Sequence, residues 1–370
     1  MSPLEELSLL LKPAGGGLYL VSTGKAAQEA LQKKLYGVGS AAEVEQAFTR
    51  SLSKIATARG VLLGIPSDVG AGFQRGANLG PQGIRTRLLE DDPSWAQTLE
   101  GYGLVDVGDV FVVPQLLHDD MLSPEQRKAS AKALYPKLSE AQAAALPVSP
   151  LSIAERAWEL ILTLNPKLKI FALGGDHSTA LPGVRALHRA RPGFGITQSD
   201  AHTDLLETRL GVKYCFATWS WHANVLLGRG GRLTQVGIRA SGRDRAHWET
   251  TTQTRQFWAK DILADPAGAL EQVVAHVKST GVQGVYFSND IDGTDAKYAD
   301  ATGTPEPNGL EPDWLLELIR RLGDEVGLVG GDVMEVAPSL TPTPESAHRT
   351  VGLAARYFRQ TVASALGTRA

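Results

Sequence analysis

Short apolar runs, each ended by Gly, Asp or Ser, punctuate the chain from Val61 onward. They are Val61–Ile65, Gly103–Val107, Lys169–Leu173, Phe194–Thr197, Leu233–Ile238, Gly284–Ser288 and Gly327–Val329. A strand with one wet face alternates apolar and polar positions; these runs do not, so each reads as a strand buried on both faces. Helical stretches lie between them, and strand–helix alternation predicts an α/β fold built on a parallel sheet. Segment 121–158 is Ala- and Glu-rich and reads as mostly helical, with breaks at Pro136, Pro147 and Pro150. Ser346–Leu366 reads as a closing helix.

Residues 1–58 have a different texture. Gly15-Gly16-Gly17 breaks the first segment, and a short β-like run, Leu18 to Ser22, follows. Two helical patterns come next, Lys25–Tyr36 and Ala41–Ala58; the second sets Val44, Ala47, Phe48, Leu52 and Ile55 at helical spacing. This part is expected to be a mostly helical N-terminal extension that packs on the main domain.

Composition narrows the class. With 370 residues, 43% hydrophobic and 21% charged, the chain can bury a substantial core. Its 37 Lys+Arg against 40 Asp+Glu exclude a basic nucleic-acid tract and an acidic disordered chain. A single cysteine, Cys215, excludes a disulfide framework and a Cys-rich zinc module. The first apolar run, Leu7 to Leu11, follows Glu5 and Glu6 where a signal peptide carries positive charge. No stretch approaches the roughly 20 apolar residues of a spanning helix. A cytoplasmic protein with no membrane or nucleic-acid partner is the expectation.

The residues able to do chemistry sit where the predicted strands end. Lys169–Leu173 runs into Gly174-Gly175-Asp176-His177-Ser178, and Phe194–Thr197 into Ser199-Asp200-Ala201-His202-Thr203-Asp204. Gly284–Ser288 runs into Asn289-Asp290-Ile291-Asp292, and Gly327–Val329 into Gly330-Gly331-Asp332, with Glu335 just after. Ligands of open parallel sheets bind outside the carboxyl ends of strands. Alternate residues of an extended chain point the same way, so D-x-H-x-D aims three metal-capable groups together and D-x-D aims two. Carboxylates buried side by side without a cation are costly. Two His and four Asp form a mixed shell that suits Mn²⁺, with Fe, Co, Ni or Zn as alternatives. Six ligands exceed one tetrahedral ion and match two ions about 3.5–4 Å apart that share carboxylates. D-x-D alone is more often a turn or cap; the conjunction of three such motifs after apolar strands sets this chain apart.

These motifs resemble those of the ureohydrolase superfamily, the arginase and agmatinase family of dinuclear manganese amidinohydrolases. The resemblance runs through Gly64-Ile65-Pro66-Ser67-Asp68, Gly80-Pro81-Gln82-Gly83-Ile84-Arg85, GGDHS, SDAHTD, SNDIDGTD, Ala301-Thr302-Gly303-Thr304-Pro305-Glu306-Pro307 and Gly331-Asp332-Val333-Met334-Glu335-Val336-Ala337-Pro338. It covers roughly residues 60–366. It implies a single three-layer α/β/α domain with a mainly parallel sheet over residues 59–370, preceded by the extension 1–58. It implies two divalent metal ions: one held by His177, Asp200, Asp204 and Asp290, the other by His202, Asp200, Asp290 and Asp292. A bridging hydroxide would attack a guanidinium carbon and release urea and an amine. In that pattern Asp204 passes the proton, Glu335 pairs with the guanidinium, His222 carries a proton to the leaving amine, and Thr304 lies beside the substrate. The family commonly assembles as trimers or hexamers.

The chain departs from arginases where they grip the α-amino acid head. Leu206 stands in place of the Asn that holds the carboxylate, and Gly242 in place of an Asp that holds the amine. Agmatine, a guanidino acid or guanidine is therefore expected ahead of arginine. Arg243 is expected to meet an anionic tail, and Trp219 to narrow the pocket or stack on a cation. Two alternatives are arginase proper and formimidoylglutamase, whose first motif is more often GGGHE. A non-catalytic, metal-stabilised family member is a third, and it would have lost ligands that are all present here.

Overall fold

The computed structural model describes residues 1–20, 22–341 and 343–368. Among these, nine strands form one sheet: β1 (Leu11–Lys12), β2 (Gly60–Ile65), β3 (Leu104–Val110), β4 (Lys169–Gly174), β5 (Gly195–Ser199), β6 (Leu233–Ile238), β7 (Arg255–Trp258), β8 (Val285–Asp290) and β9 (Leu328–Met334). Their order across the sheet is β1-β3-β2-β4-β9-β8-β5-β6-β7. Every neighbouring pair is parallel except β1 with β3. Helices cover both faces, giving the expected three-layer α/β/α arrangement with a mainly parallel sheet.

The unbroken apolar runs follow from that burial. In β2 all six residues are buried. Val61, Leu63 and Ile65 pack into the core on one face, and Leu62 into the core on the other. Each such side chain contributes about 1.5–3 kcal/mol relative to exposure. The expected closing helix is present as Pro344–Leu366, with the Thr343 side chain accepting the Ser346 N–H. Segment 121–158 holds the helices Pro124–Leu134 and Glu140–Ala144 and most of Pro150–Leu164.

In the first 58 residues, helices span Pro3–Leu10, Lys25–Tyr36 and Ala41–Ser53. Leu7, Leu10, Phe48, Leu52 and Ile55 share one hydrophobic core with β2 and β4 residues. Glu6 adds an ion pair with Arg156, at 2.6 and 2.9 Å. Of the β-like run Leu18–Ser22, Leu18 makes an isolated bridge to Val112. Val21 lies outside the described residues, as do the last two positions of the 59–370 span.

Three details differ from the sequence expectation. β9 does not stop at Val329 but continues through Gly330, Gly331 and Asp332, because β4 and β8 pair with it on both sides. Its glycines are needed there: a Cβ on Gly330 would stand 2.0 Å from the Ile170 carbonyl oxygen. The edge strands β1 and β7 were not predicted; one is two residues long and the other, Arg-Gln-Phe-Trp, is half polar.

Candidate metal centre

β4, β9, β8 and β5 are consecutive in the sheet. Their carboxyl ends therefore deliver all the expected ligands to one stretch of rim, although the ligands span positions 177 to 292 of the chain. His177 opens a short turn after β4, which Asp176 caps by accepting the Ser178 N–H at 2.9 Å. That turn lies against the loop after β2 so closely that a Cβ on Gly175 would be 1.9 Å from the Ser67 carbonyl oxygen. Asp200, His202 and Asp204 follow β5; Asp290 ends β8, and Asp292 lies in the short turn after it.

Two groups of donors emerge, His177–Asp200–Asp290 and Asp200–His202–Asp292, each with ligand atoms within 4.8 Å of one another. Asp200 belongs to both. Around His177 Nδ1 lie Asp290 Oδ2 at 3.0 Å, Asp200 Oδ2 at 3.3 Å and Asp204 Oδ2 at 3.5 Å. His202 Nδ1 lies 3.1 Å from Asp292 Oδ2 and 3.6 Å from Asp200 Oδ1. Imidazole nitrogen and carboxylate oxygen at this density suit a first-row divalent ion, and a shared carboxylate suits a pair of them. The donor set thus fits two ions.

Electrostatics reinforce the fit. Burial and the neighbouring Asp200 charge push the Asp204 carboxyl well above the ordinary carboxylate range. Burial and the Asp292 and Asp200 charges do the same to Asp290. Burial disfavours a charged His177, yet the hydrogen bond and charge of Asp200, with Asp204 and Asp332, push it up to about 9. His202 behaves alike: burial is overcome by Asp292 and Asp200, and its pKa rises to about 12. Without metal, imidazolium charge performs the neutralisation that cations would supply.

Around the ligands, outer partners fix orientation. His177 Nε2 meets Ser288 Oγ at 3.0 Å, and Ser288 Oγ donates to Asp332 Oδ1 at 2.9 Å. Glu335 Oε1 accepts the His177 N–H at 2.9 Å, and its Oε2 has no hydrogen-bond partner among the described residues. Glu335 is 8% exposed, and burial together with the Asp290 charge holds its carboxyl well above the usual range. Asp204 and Glu335 both adopt left-handed backbone, φ 51° and 62°, which is uncommon for non-glycine residues and clusters at functional sites.

The other expected residues fare differently. Thr304 Oγ1 donates to Asp292 Oδ2 at 3.0 Å, so it reaches the centre by holding a ligand. The expectation that Trp219 lines the substrate pocket is corrected: it is fully buried, stacked on His177 with centroids 4.4 Å apart, and donates Nε1–H to Asp204 Oδ2 at 3.1 Å. Packed beneath the ligands, its ring is closed to a substrate. His222 is half-buried, 3.0 Å from the Lys213 carbonyl through Nε2 and beside the Tyr214 ring; it touches none of the six ligands. Arg243 is exposed, on a loop whose start, Arg239 and Ala240, donates N–H groups to the Ala201 carbonyl. Ser288 and Gln198, which donates to Asp200 Oδ2 at 2.7 Å, are not singled out by the sequence, whereas Asp332 reads there as part of a strand-end acidic cluster. Only the i−2 spacing of Ser288 and Gln198 before Asp290 and Asp200 points to them.

Known proteins are similar to this chain. A family model described as the Arginase family matches residues 58–363. The chain is 28% identical over 295 residues to a guanidinobutyrase of Pseudomonas aeruginosa, covering 76% of this chain and 79% of that one. It is 30% identical over 288 residues to a mitochondrial agmatinase of Gallus gallus, covering 75% and 73%. Among solved structures it is similar to the agmatine ureohydrolase of Thermoplasma volcanium, with TM-score 0.61, 26% identity and coverage of 84% and 90%.

Proposed function

Since the chain belongs to the arginase family, whose members are dinuclear metal enzymes, we propose that it holds two divalent ions at this rim and uses them to split a small guanidino compound into urea and an amine. It is an amidinohydrolase, acting on a C–N bond of a linear amidine. The observation that carries the proposal is one carboxylate, Asp200, shared between two donor groups, with Glu335 beside His177.

The ligands in this reading are His177, Asp200, Asp204, Asp290, His202 and Asp292, and the preferred ion is Mn²⁺. When bound, such ions would supply Lewis acidity and bring the pKa of metal-bound water towards neutrality. The chain's own groups do the rest. Glu335 Oε2 is free to accept a guanidinium N–H, a charge-assisted bond to a planar fork. Asp204, whose Oδ2 lies 3.5 Å from His177 Nδ1 at the centre of the cluster, takes and passes a proton. Thr304 keeps Asp292 in place. His222 serves as proton carrier to the leaving amine once its Nε2 leaves the Lys213 carbonyl.

The substrate class proposed is agmatine, a guanidino acid or guanidine. Relatives named guanidinobutyrase and agmatinase support it. So does Leu206, 41% exposed and without a polar atom to hold an α-carboxylate. Arg243, exposed and without a side-chain partner among the described residues, is available to an anionic tail. A division into an extension (1–58) and a catalytic domain (59–370), a cytoplasmic location and a trimeric or hexameric assembly complete the proposal. No helix among the described residues is long and apolar enough to cross a membrane.

The test is urea release from agmatine, guanidinobutyrate, guanidinopropionate, guanidine and arginine, with the protein stripped by chelator and reloaded with Mn²⁺, Ni²⁺, Co²⁺, Fe²⁺ or Zn²⁺. Urea from at least one non-arginine substrate, lost on chelation, is expected. No urea from any pairing, or formamide from a formimino substrate, overturns it.

A further inference from the structure

Three glutamines stand side by side across three parallel strands behind the metal centre. Gln198 of β5 is in register with Gln235 of β6, and Gln235 with Gln256 of β7. All three are fully buried. Each is hydrogen-bonded to the next: Gln256 Nε2 donates to Gln235 Oε1 at 2.8 Å, and Gln235 Nε2 to Gln198 Oε1 at 2.8 Å. Gln198 Nε2 then donates to Asp200 Oδ2 at 2.7 Å. At the far end Trp258 Nε1–H donates to Gln256 Oε1 at 2.9 Å.

The ends decide the direction. An indole N–H only donates, and an ionised carboxylate only accepts. An amide between them has one orientation in which both neighbours are satisfied, so all three amides point their N–H groups toward Asp200. Such a chain polarises in one sense and strengthens each bond. Two side connections tie it to the ligand loop. Gln235 Nε2 also donates to the Thr203 carbonyl at 2.6 Å, between His202 and Asp204. Ser220 Oγ donates to Gln198 Oε1 at 2.7 Å, one residue after the Trp219 that holds Asp204.

We infer that Gln198, Gln235 and Gln256, terminated by Trp258, are positioning residues: an uncharged brace that sets the orientation of Asp200 and the course of the D-x-H-x-D loop. This rests on the proposal that Asp200 is a metal ligand shared by two ions. Uncharged donors are what the position requires. A lysine or arginine there would neutralise the carboxylate that two cations must share, and an apolar residue would leave Asp200 held only through Oδ1, which accepts the His202 N–H at 2.6 Å, with Oδ2 unanchored. Outer partners of this kind, when removed, typically lower metal affinity about 10–100-fold.

The experiment titrates metal-stripped full-length protein with Mn²⁺, by calorimetry or chelator competition, alongside the melting temperature of each metal-free protein. The variants are Gln198→Met and Gln256→Met, which keep volume while removing hydrogen bonds, and Trp258→Phe. The expected result is a loss of Mn²⁺ affinity of about 10–100-fold for Gln198→Met, with smaller losses for Gln256→Met and Trp258→Phe in order of distance from Asp200. KM at saturating metal is expected to stay unchanged. Equal Mn²⁺ affinity in wild type and variants, with only the melting temperature lowered, overturns the inference and leaves a packing role. If Gln198→Met does not fold, Trp258→Phe decides on the same criterion. A wild type that takes up no divalent ion removes the metal reading and this inference with it, whereas two ions bound equally by all variants removes this inference alone.

Discussion

Trp219 lies stacked on His177, 4.4 Å between ring centroids, while its indole N–H reaches the carboxylate of Asp204 at 3.1 Å. One side chain thereby fixes the plane of an imidazole and the rotamer of a carboxylate that stand 27 positions apart in the chain. Asp204 lies outside the two donor groups, but its Oδ2 stands 3.5 Å from His177 Nδ1, so the two constrained side chains face one another. Trp219→Phe keeps an aromatic face against His177 but removes the donor to Asp204. It is expected to weaken metal binding about 10–100-fold with the fold retained. Metal titration with circular dichroism checks this; unchanged affinity counts against an orienting role for Trp219.

Glu335 is expected to affect substrate rather than metal. Hydrogen bonds to charged groups are worth about 1.5–3 kcal/mol. Glu335→Gln should therefore lower kcat/KM by about 10–150-fold, with metal content as in wild type. Steady-state kinetics with metal analysis reads both. A variant with wild-type kcat/KM rules out guanidinium binding by Glu335.

The metal-free protein is expected to lose stability as pH rises. His177 is pushed from an ordinary 6.5 to about 9, with burial opposing and the hydrogen bond and charge of Asp200 prevailing. The fold therefore favours its protonated form. That contribution is complete below pH 6.5 and is lost as pH climbs through about 9. A bound cation replaces the proton, so metal uptake near pH 7.5 should release protons, and apparent affinity should rise with pH. Melting curves with and without metal across pH 6–10, and titrations in buffers of different ionisation enthalpy, measure both effects. A pH-independent gap between the two sets of melting curves refutes it.

Residues 1–58 share a hydrophobic core with the sheet, so weakening them should weaken the whole. Phe48 is 3% exposed in the cluster that also holds Val61 and Leu63. Phe48→Ala is expected to cost about 3–5 kcal/mol, in one cooperative transition. Denaturant unfolding followed by far-UV and tryptophan signals tests this. Two separated transitions would show that residues 1–58 fold as an independent unit.

Much of the site was legible because metal ligation demands particular side chains at particular spacings. D-x-H-x-D and D-x-D name the residues and place them at strand ends, but their convergence comes from bent backbone rather than extended chain: Asp204 is left-handed and Asp292 lies in a short helical turn. Trp219 was misplaced for the opposite reason. Nothing in Trp-Ser-Trp-His says which side of its helix faces the ligands, and an aromatic near a cation site reads equally well as pocket wall or as support. The strand Leu328–Met334 was cut short because glycines weaken the local strand signal, whereas pairing with neighbours on both sides overrides it.

What the amino-acid order determined by itself was the class of fold and the list of candidate ligands, since apolar runs buried on both faces and acidic strand ends are local properties. What only the folded molecule decided was adjacency. The sheet order β4-β9-β8-β5 sets Asp290 beside His177 and shares Asp200 between two donor groups. Strand register likewise aligned Gln198, Gln235 and Gln256 into one hydrogen-bonded row. Which strands become neighbours depends on the summed packing of two helical layers, a property of the whole chain that no single stretch of it carries.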